Sequence, residues 1–161
     1  MKTLLLMRHA KASPQEPGQP DQDRALAKRG ERQAPAMGRL LQENGRVPQA
    51  ILSSTALRAR QTAQGVAKTA GYNGEIAYFS EFYGGELEDY GRTLRSLADS
   101  LDPVLVVGHN PDVQELVELL TGQHEDLPTA AIACLTLPIV RWADLHSDTR
   151  GELQQVWRPQ K

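Results

Sequence analysis

The chain has 161 residues, a length that suits one domain with a real core. Eighteen Lys and Arg stand against 20 Asp and Glu, a formal net charge of -2, which gives no reason to expect nucleic acid or an anionic membrane as partner. A single cysteine, Cys134, excludes an intrachain disulfide, and its apolar setting in Ile132-Ala133-Cys134-Leu135 reads as a buried structural thiol. The apolar opening Met1 to Met7 stops at Arg8-His9, short of the roughly 7–15 residues that a signal-peptide core needs. No stretch approaches the roughly 20 apolar residues of a membrane span, so the expectation is a soluble, cytoplasmic protein.

Strands and helices alternate along the chain. Thr3 to Met7 is a short apolar run that suits a central strand. The polar stretch Ser13 to Asp23, with Pro14, Pro17, Gly18 and Pro20, predicts a mobile loop. Helical spacing from Glu31 to Leu41 places Ala34, Met37, Leu40 and Leu41 on one stripe, closed by Asn44-Gly45. Ala50 to Ser53 predicts a strand, and Ser54 or Thr55 can cap a helix that runs to Ala70 and Gly71. Glu75 to Phe79 is a short strand. Leu87 to Leu101 predicts a helix stopped by Asp102-Pro103, and Val104 to Val107 is the clearest buried strand. Asp112 to Leu120 follows as a helix with Pro111 at its start. Ile132 to Leu137 and Glu152 to Trp157 read as late strands around an ill-defined segment near Trp142. The order predicts one three-layer α/β domain over residues 1–161, a largely parallel sheet flanked by helices.

Three strand ends carry unusual polar residues. The first is Met7-Arg8-His9-Ala10-Lys11-Ala12, the second Ser53-Ser54-Thr55 leading to Arg58, the third Val107-Gly108-His109-Asn110-Pro111. Ligands bind beyond the carboxyl ends of strands in such sheets, and helix starts favour anions. Two arginines and two histidines there describe a pocket for a compact dianion, and phosphate fits best because a guanidinium fork matches its oxygens. Each piece has a plainer reading: an Arg-His pair facing solvent, Arg58 and Arg60 as helix-face charges, His109 bonded to backbone. A metal site on His9 and His109 is disfavoured by Arg8 and by the lack of a third ligand at a suitable spacing. No glycine-rich dinucleotide loop or Walker lysine occurs.

The Leu6-Met7-Arg8-His9-Ala10 start, Ser53-Ser54 with Arg58 through Gln61-Thr62-Ala63, and Val107-Gly108-His109-Asn110-Pro111 together resemble the histidine phosphatase (phosphoglycerate mutase-like) superfamily. Arg8-His9-Ala10-Lys11-Ala12, the later Asp23-Arg24-x-Leu26-x-x-Arg29-Gly30 and the short length resemble its small bacterial phosphohistidine phosphatase branch. The resemblance implies His9 as nucleophile and Arg8, Arg58 and His109 as the phosphoryl-binding set, with neither metal nor cofactor. The expected substrate is a phosphohistidine-bearing protein, such as a histidine-containing phosphotransfer domain, and the expected state a monomer. A neutral imidazole suits the nucleophile's task, and cationic neighbours keep its lone pair free.

Two departures matter. Mutase-like members have Arg-His-Gly followed by a polar residue and asparagine, where this chain has Ala10, Lys11 and Ala12. The usual acid precedes Tyr-Gly, and Glu81 in Glu81-Phe82-Tyr83-Gly84 stands near but at a shorter spacing, either a proton donor or a surface carboxylate. A site without a sure acid suits a P–N bond better than an alkyl phosphate ester. A small-molecule phosphomonoesterase and a non-catalytic phosphoprotein-binding module stay open as alternatives.

Overall fold

Leu4 through Met7 and Val104 through Val107 are completely buried, as strands covered on both faces must be. The computed structural model describes residues 1–160; the last residue of the expected 1–161 domain lies outside the described residues. Its strands are β1 (Lys2–Arg8), β2 (Ala50–Ser54), β3 (Ile76–Phe79), β4 (Val104–Gly108), β5 (Ile132–Leu137) and β6 (Glu152–Trp157). They form one sheet in the order β3-β2-β4-β1-β5-β6. The first four neighbours run parallel, while β5 and β6 are antiparallel additions beside β1.

Side chains alternate across this sheet with the period of two that strands impose. Leu5, Met7, Leu105 and Val107 face α1 (Lys28–Glu43) and α2 (Leu57–Ala70), where Ala34, Met37, Leu41, Ala63 and Val66 complete one core. Leu4, Leu6, Val104 and Val106 face α3 (Leu87–Arg95) and α4 (Asp112–Thr121), with Tyr90, Leu94, Val113 and Val117. This is the expected three-layer α/β architecture. Among the described residues no helix is long and apolar enough to cross a membrane.

Three expectations are corrected. The helix over Leu87 to Leu101 ends at Arg95, because the Ser96 hydroxyl donates to the Thr93 carbonyl (2.7 Å) and isolated turns follow. Leu97 and Leu101 still pack against the core, which is why their spacing looked helical. Neither Ser54 nor Thr55 caps α2; Ala56 holds that position, and the Ser54 oxygen accepts the Ala56 N–H at 3.1 Å while facing His109. The stretch Ser13 to Asp23 does not lie free: Ser13 bonds to Ala25 through the backbone, and a 3₁₀ turn at Asp21–Asp23 ties it to α2.

Candidate active site

Neighbouring parallel strands deliver the two histidines side by side. Arg8 in β1 pairs with Gly108 in β4, and the His9 N–H donates to the Gly108 carbonyl at 3.0 Å. The His9 and His109 ring centroids lie 5.1 Å apart. On the other side of β4, β2 ends at Ser54, and the first turn of α2 brings in Arg58, only 7% exposed. The geometry thus gathers His9, His109 and Arg58 at the carboxyl edge of the sheet, with Arg8 adjoining.

His9 is held in one tautomer. Its Nδ1 lies 2.8 Å from the Ala10 carbonyl, which can only accept, so Nδ1 carries the hydrogen and Nε2 keeps its lone pair. The ring's pKa falls to about 4, first because burial penalises the cation and then because Arg58, Arg8 and Arg24 repel it; the Ala10 bond opposes the shift. Burial therefore outweighs the cationic neighbours emphasised from sequence. His109 falls to about 3, again chiefly through burial, then through His9 and Arg58. Its Nε2 lies 2.8 Å from the Ser54 hydroxyl. Both rings are neutral at physiological pH.

Asp21 is the partner of Arg58. Arg58 donates to its backbone carbonyl and to its carboxylate, each at 2.9 Å. The same carboxylate accepts from Arg24 at 2.9 Å and from the Tyr83 hydroxyl at 2.7 Å. Arg24 and Tyr83, followed by Arg58, hold its pKa well below the usual carboxylate range, so it stays ionised. Tyr83 also stands edge-on to His109, with ring centroids 5.5 Å apart. Opposite, Arg8 donates to the Leu127 carbonyl at 3.2 Å, which also accepts from Asn110. Buried polar groups normally find partners, yet among the described residues Arg8 Nε and His109 Nδ1 have none.

A supporting layer explains the rest of the motifs. The Thr62 hydroxyl accepts the Ala10 N–H (2.9 Å) and donates to the Arg58 carbonyl (2.7 Å). Gln61 accepts the Leu26 N–H, and Gln33 accepts the Lys11 N–H. Gly30 passes so close that a Cβ would sit 2.2 Å from the Lys11 carbonyl oxygen, which explains why Arg29 is followed by glycine. Arg60 has the plainer role, lying over the Tyr78 ring.

Glu81 is the residue the structure does not bring in. It is exposed, and its carboxylate accepts from neighbouring Ser80 at 3.1 Å. Tyr83, two residues on, reaches the site instead. Asp21 was missed because it lies in a Pro- and Gly-rich stretch, and its one signal was standing two residues before Asp23-Arg24. Among the described residues no three His, Cys, Asp or Glu side chains gather where they could hold a metal ion.

Two neutral histidines beside two arginines lie at the end of the mainly parallel sheet of a phosphoglycerate mutase-like fold. The chain belongs to the histidine phosphatase superfamily (branch 1), whose profile matches residues 4–103. It is 35% identical to an uncharacterized protein of Mycobacterium tuberculosis, over 87% of this chain and 92% of that one. Two solved structures share the whole architecture. One is SixA from Agrobacterium tumefaciens, provisionally named a phosphohistidine phosphatase, with 29% identity, a TM-score of 0.84 and 98% of each chain covered. The other is a protein histidine phosphatase SixA complexed with tungstate, with 25% identity, a TM-score of 0.83, and 98% and 97% covered.

Proposed function

We propose that this phosphatase hydrolyses phosphohistidine on proteins, through a covalent intermediate on His9. The locked tautomer of His9 carries the reading: a buried neutral imidazole whose Nε2 lone pair is left free beside Arg58. Nε2 attacks phosphorus, the bond from phosphorus to the substrate imidazole breaks with its electron pair going to the departing nitrogen, and that ring, protonated beforehand from solvent on its other nitrogen, leaves as neutral imidazole. Arg8 and Arg58 offset the charge on the transferred oxygens, and His109 donates to one of them from its neutral ring. In the intermediate the Nδ1–H still points at the Ala10 carbonyl, which steadies the positive charge on phosphorylated His9. Water then attacks phosphorus, releasing phosphate and restoring neutral His9.

Arginines supply the electrostatics, so the proposed steps route nothing through a metal. Glu81 is exposed and Asp21 is ionised, so neither is placed to protonate an alkoxide. A P–N bond, whose imidazole leaves without such help, is the better match. The similarity to SixA structures supports the same substrate class.

The test mixes labelled phosphohistidine protein with enzyme and quenches in alkali, since acid destroys phosphoramidates. Label should appear on the native enzyme and be absent from His9→Asn, which should also lose turnover. A His9→Asn enzyme with native turnover refutes covalent catalysis. A native enzyme that prefers sugar phosphates over phosphohistidine makes it a small-molecule phosphomonoesterase, and binding without turnover makes it a recognition module.

A further inference from the structure

A second feature opens at the same sheet edge. A groove of about 640 Å³ runs between α1 and the chain just after β6, walled by Arg29, Arg32 and Arg39 on one side and Arg158 on the other. Its head includes Gln33, whose side chain accepts the Lys11 N–H. The first turns of α1 pack on Lys11, two residues past His9, through Gly30 and Gln33. Its far wall follows Trp157, which pairs with Ile132, which pairs with Met7 at the end of β1. Both walls of the groove thus neighbour the carboxyl end of β1, the strand that ends one residue before His9.

The charge is unspent. Among the described residues Lys28, Arg29, Arg32 and Arg39 make no salt bridge, and only Arg158 has one, with Glu125 at 3.1 Å. Lys28, Arg29 and Arg32 also stand in the first turns of α1, where the helix dipole favours acidic side chains; only Glu31 obliges. Cations held against that local preference, unpaired and exposed, call for an anionic ligand. The floor argues for a protein over a phosphate polymer or a membrane, because exposed Ala36 and half-buried Leu40 offer apolar contact, and Glu43 at the far end repels a continuing chain of phosphates.

We infer that this arginine groove docks an acidic segment of the phosphohistidine-bearing protein, an inference that rests on the protein-substrate reading above. Electrostatic docking of this kind acts mainly on encounter and on KM, and leaves the bond-breaking step alone.

The experiment uses the full chain and two matched synthetic peptides, each with one phosphohistidine, one flanked by glutamates and the other by lysines. The acidic peptide should show a KM about tenfold lower, an advantage that shrinks as salt is raised. The triple variant Arg29→Glu, Arg32→Glu, Arg39→Glu should erase that advantage with kcat unchanged, and should turn over free phosphohistidine as the native enzyme does. The corresponding glutamine variant should fall between them. Fluorescence anisotropy with the unphosphorylated acidic peptide separates the two readings. If that peptide binds native enzyme and not the triple variant while no phosphohistidine substrate is turned over, the groove stands and the activity reading falls. If phosphohistidine is turned over and the triple variant keeps the acidic peptide's KM, the groove proposal falls alone. Equal binding of duplex DNA or phosphatidylserine vesicles to the groove also overturns it.

Discussion

Acid should destabilise this protein through His9 and His109. Each folded-state pKa, about 4 for His9 and about 3 for His109, lies below the ordinary histidine value of 6.5. The folded chain therefore binds fewer protons than the unfolded chain over this window. The stability these rings contribute is complete above the unfolded value and is lost as pH falls towards the folded one. Between about pH 7 and about pH 5 each ring accounts for a loss of about 2 kcal/mol, so the pair removes about 4 kcal/mol from a domain stability of about 5–15 kcal/mol. Asp21 adds little over that range, since its carboxyl is held below the usual value and stays ionised. The substitutions to use are His9→Asn, which keeps a donor facing the Ala10 carbonyl, and His109→Gln, which keeps a nitrogen facing Ser54. Urea unfolding followed through buried Trp142 and Trp157 at the two pH values gives the loss directly. Each variant should lose about 2 kcal/mol less than the native chain on acidification. Carboxylates elsewhere cancel in that comparison. A His9→Asn chain that loses as much as the native one would refute the claim that burial holds this ring neutral.

Two further outcomes follow from the site. Asp21→Asn removes the carboxylate that occupies Arg58, so competitive inhibition by inorganic phosphate should strengthen several-fold, while stability falls by no more than about 1 kcal/mol because the carboxylate is partly exposed. An unchanged inhibition constant would show that Asp21 does not compete for the clamp. Glu81→Gln should leave turnover of phosphohistidine and of an activated aryl phosphate unchanged, with stability within about 0.5 kcal/mol, in steady-state assays and thermal melts; a loss on either substrate would return Glu81 to the site.

Residues whose role depends on strand ends were legible in the sequence. His9, His109 and Arg58 follow strands recognisable from short uncharged runs, and adjacent parallel strands place their ends together. The late strands Ile132–Leu137 and Glu152–Trp157 were legible for the same reason. Asp21 was not, because its position depends on a loop folding back across α2, and loop closure leaves no periodic signature. The early stop of α3 was hidden because Leu97 and Leu101 are needed by the core whether or not the backbone between them is helical. Glu81 misled through its neighbours: Phe82 is buried and Tyr83 reaches His109, so the motif marks a turn that aims the tyrosine.

The Thr62 hydroxyl has a consequence for how such a site survives change elsewhere in the molecule. It joins the Ala10 amide, next to His9, to the Arg58 carbonyl, through bonds of 2.9 and 2.7 Å. The backbones that carry His9 and Arg58 thus meet at one oxygen atom, which links the end of β1 to the first turn of α2. A change elsewhere in the molecule that leaves this oxygen in place leaves the backbones carrying His9 and Arg58 joined.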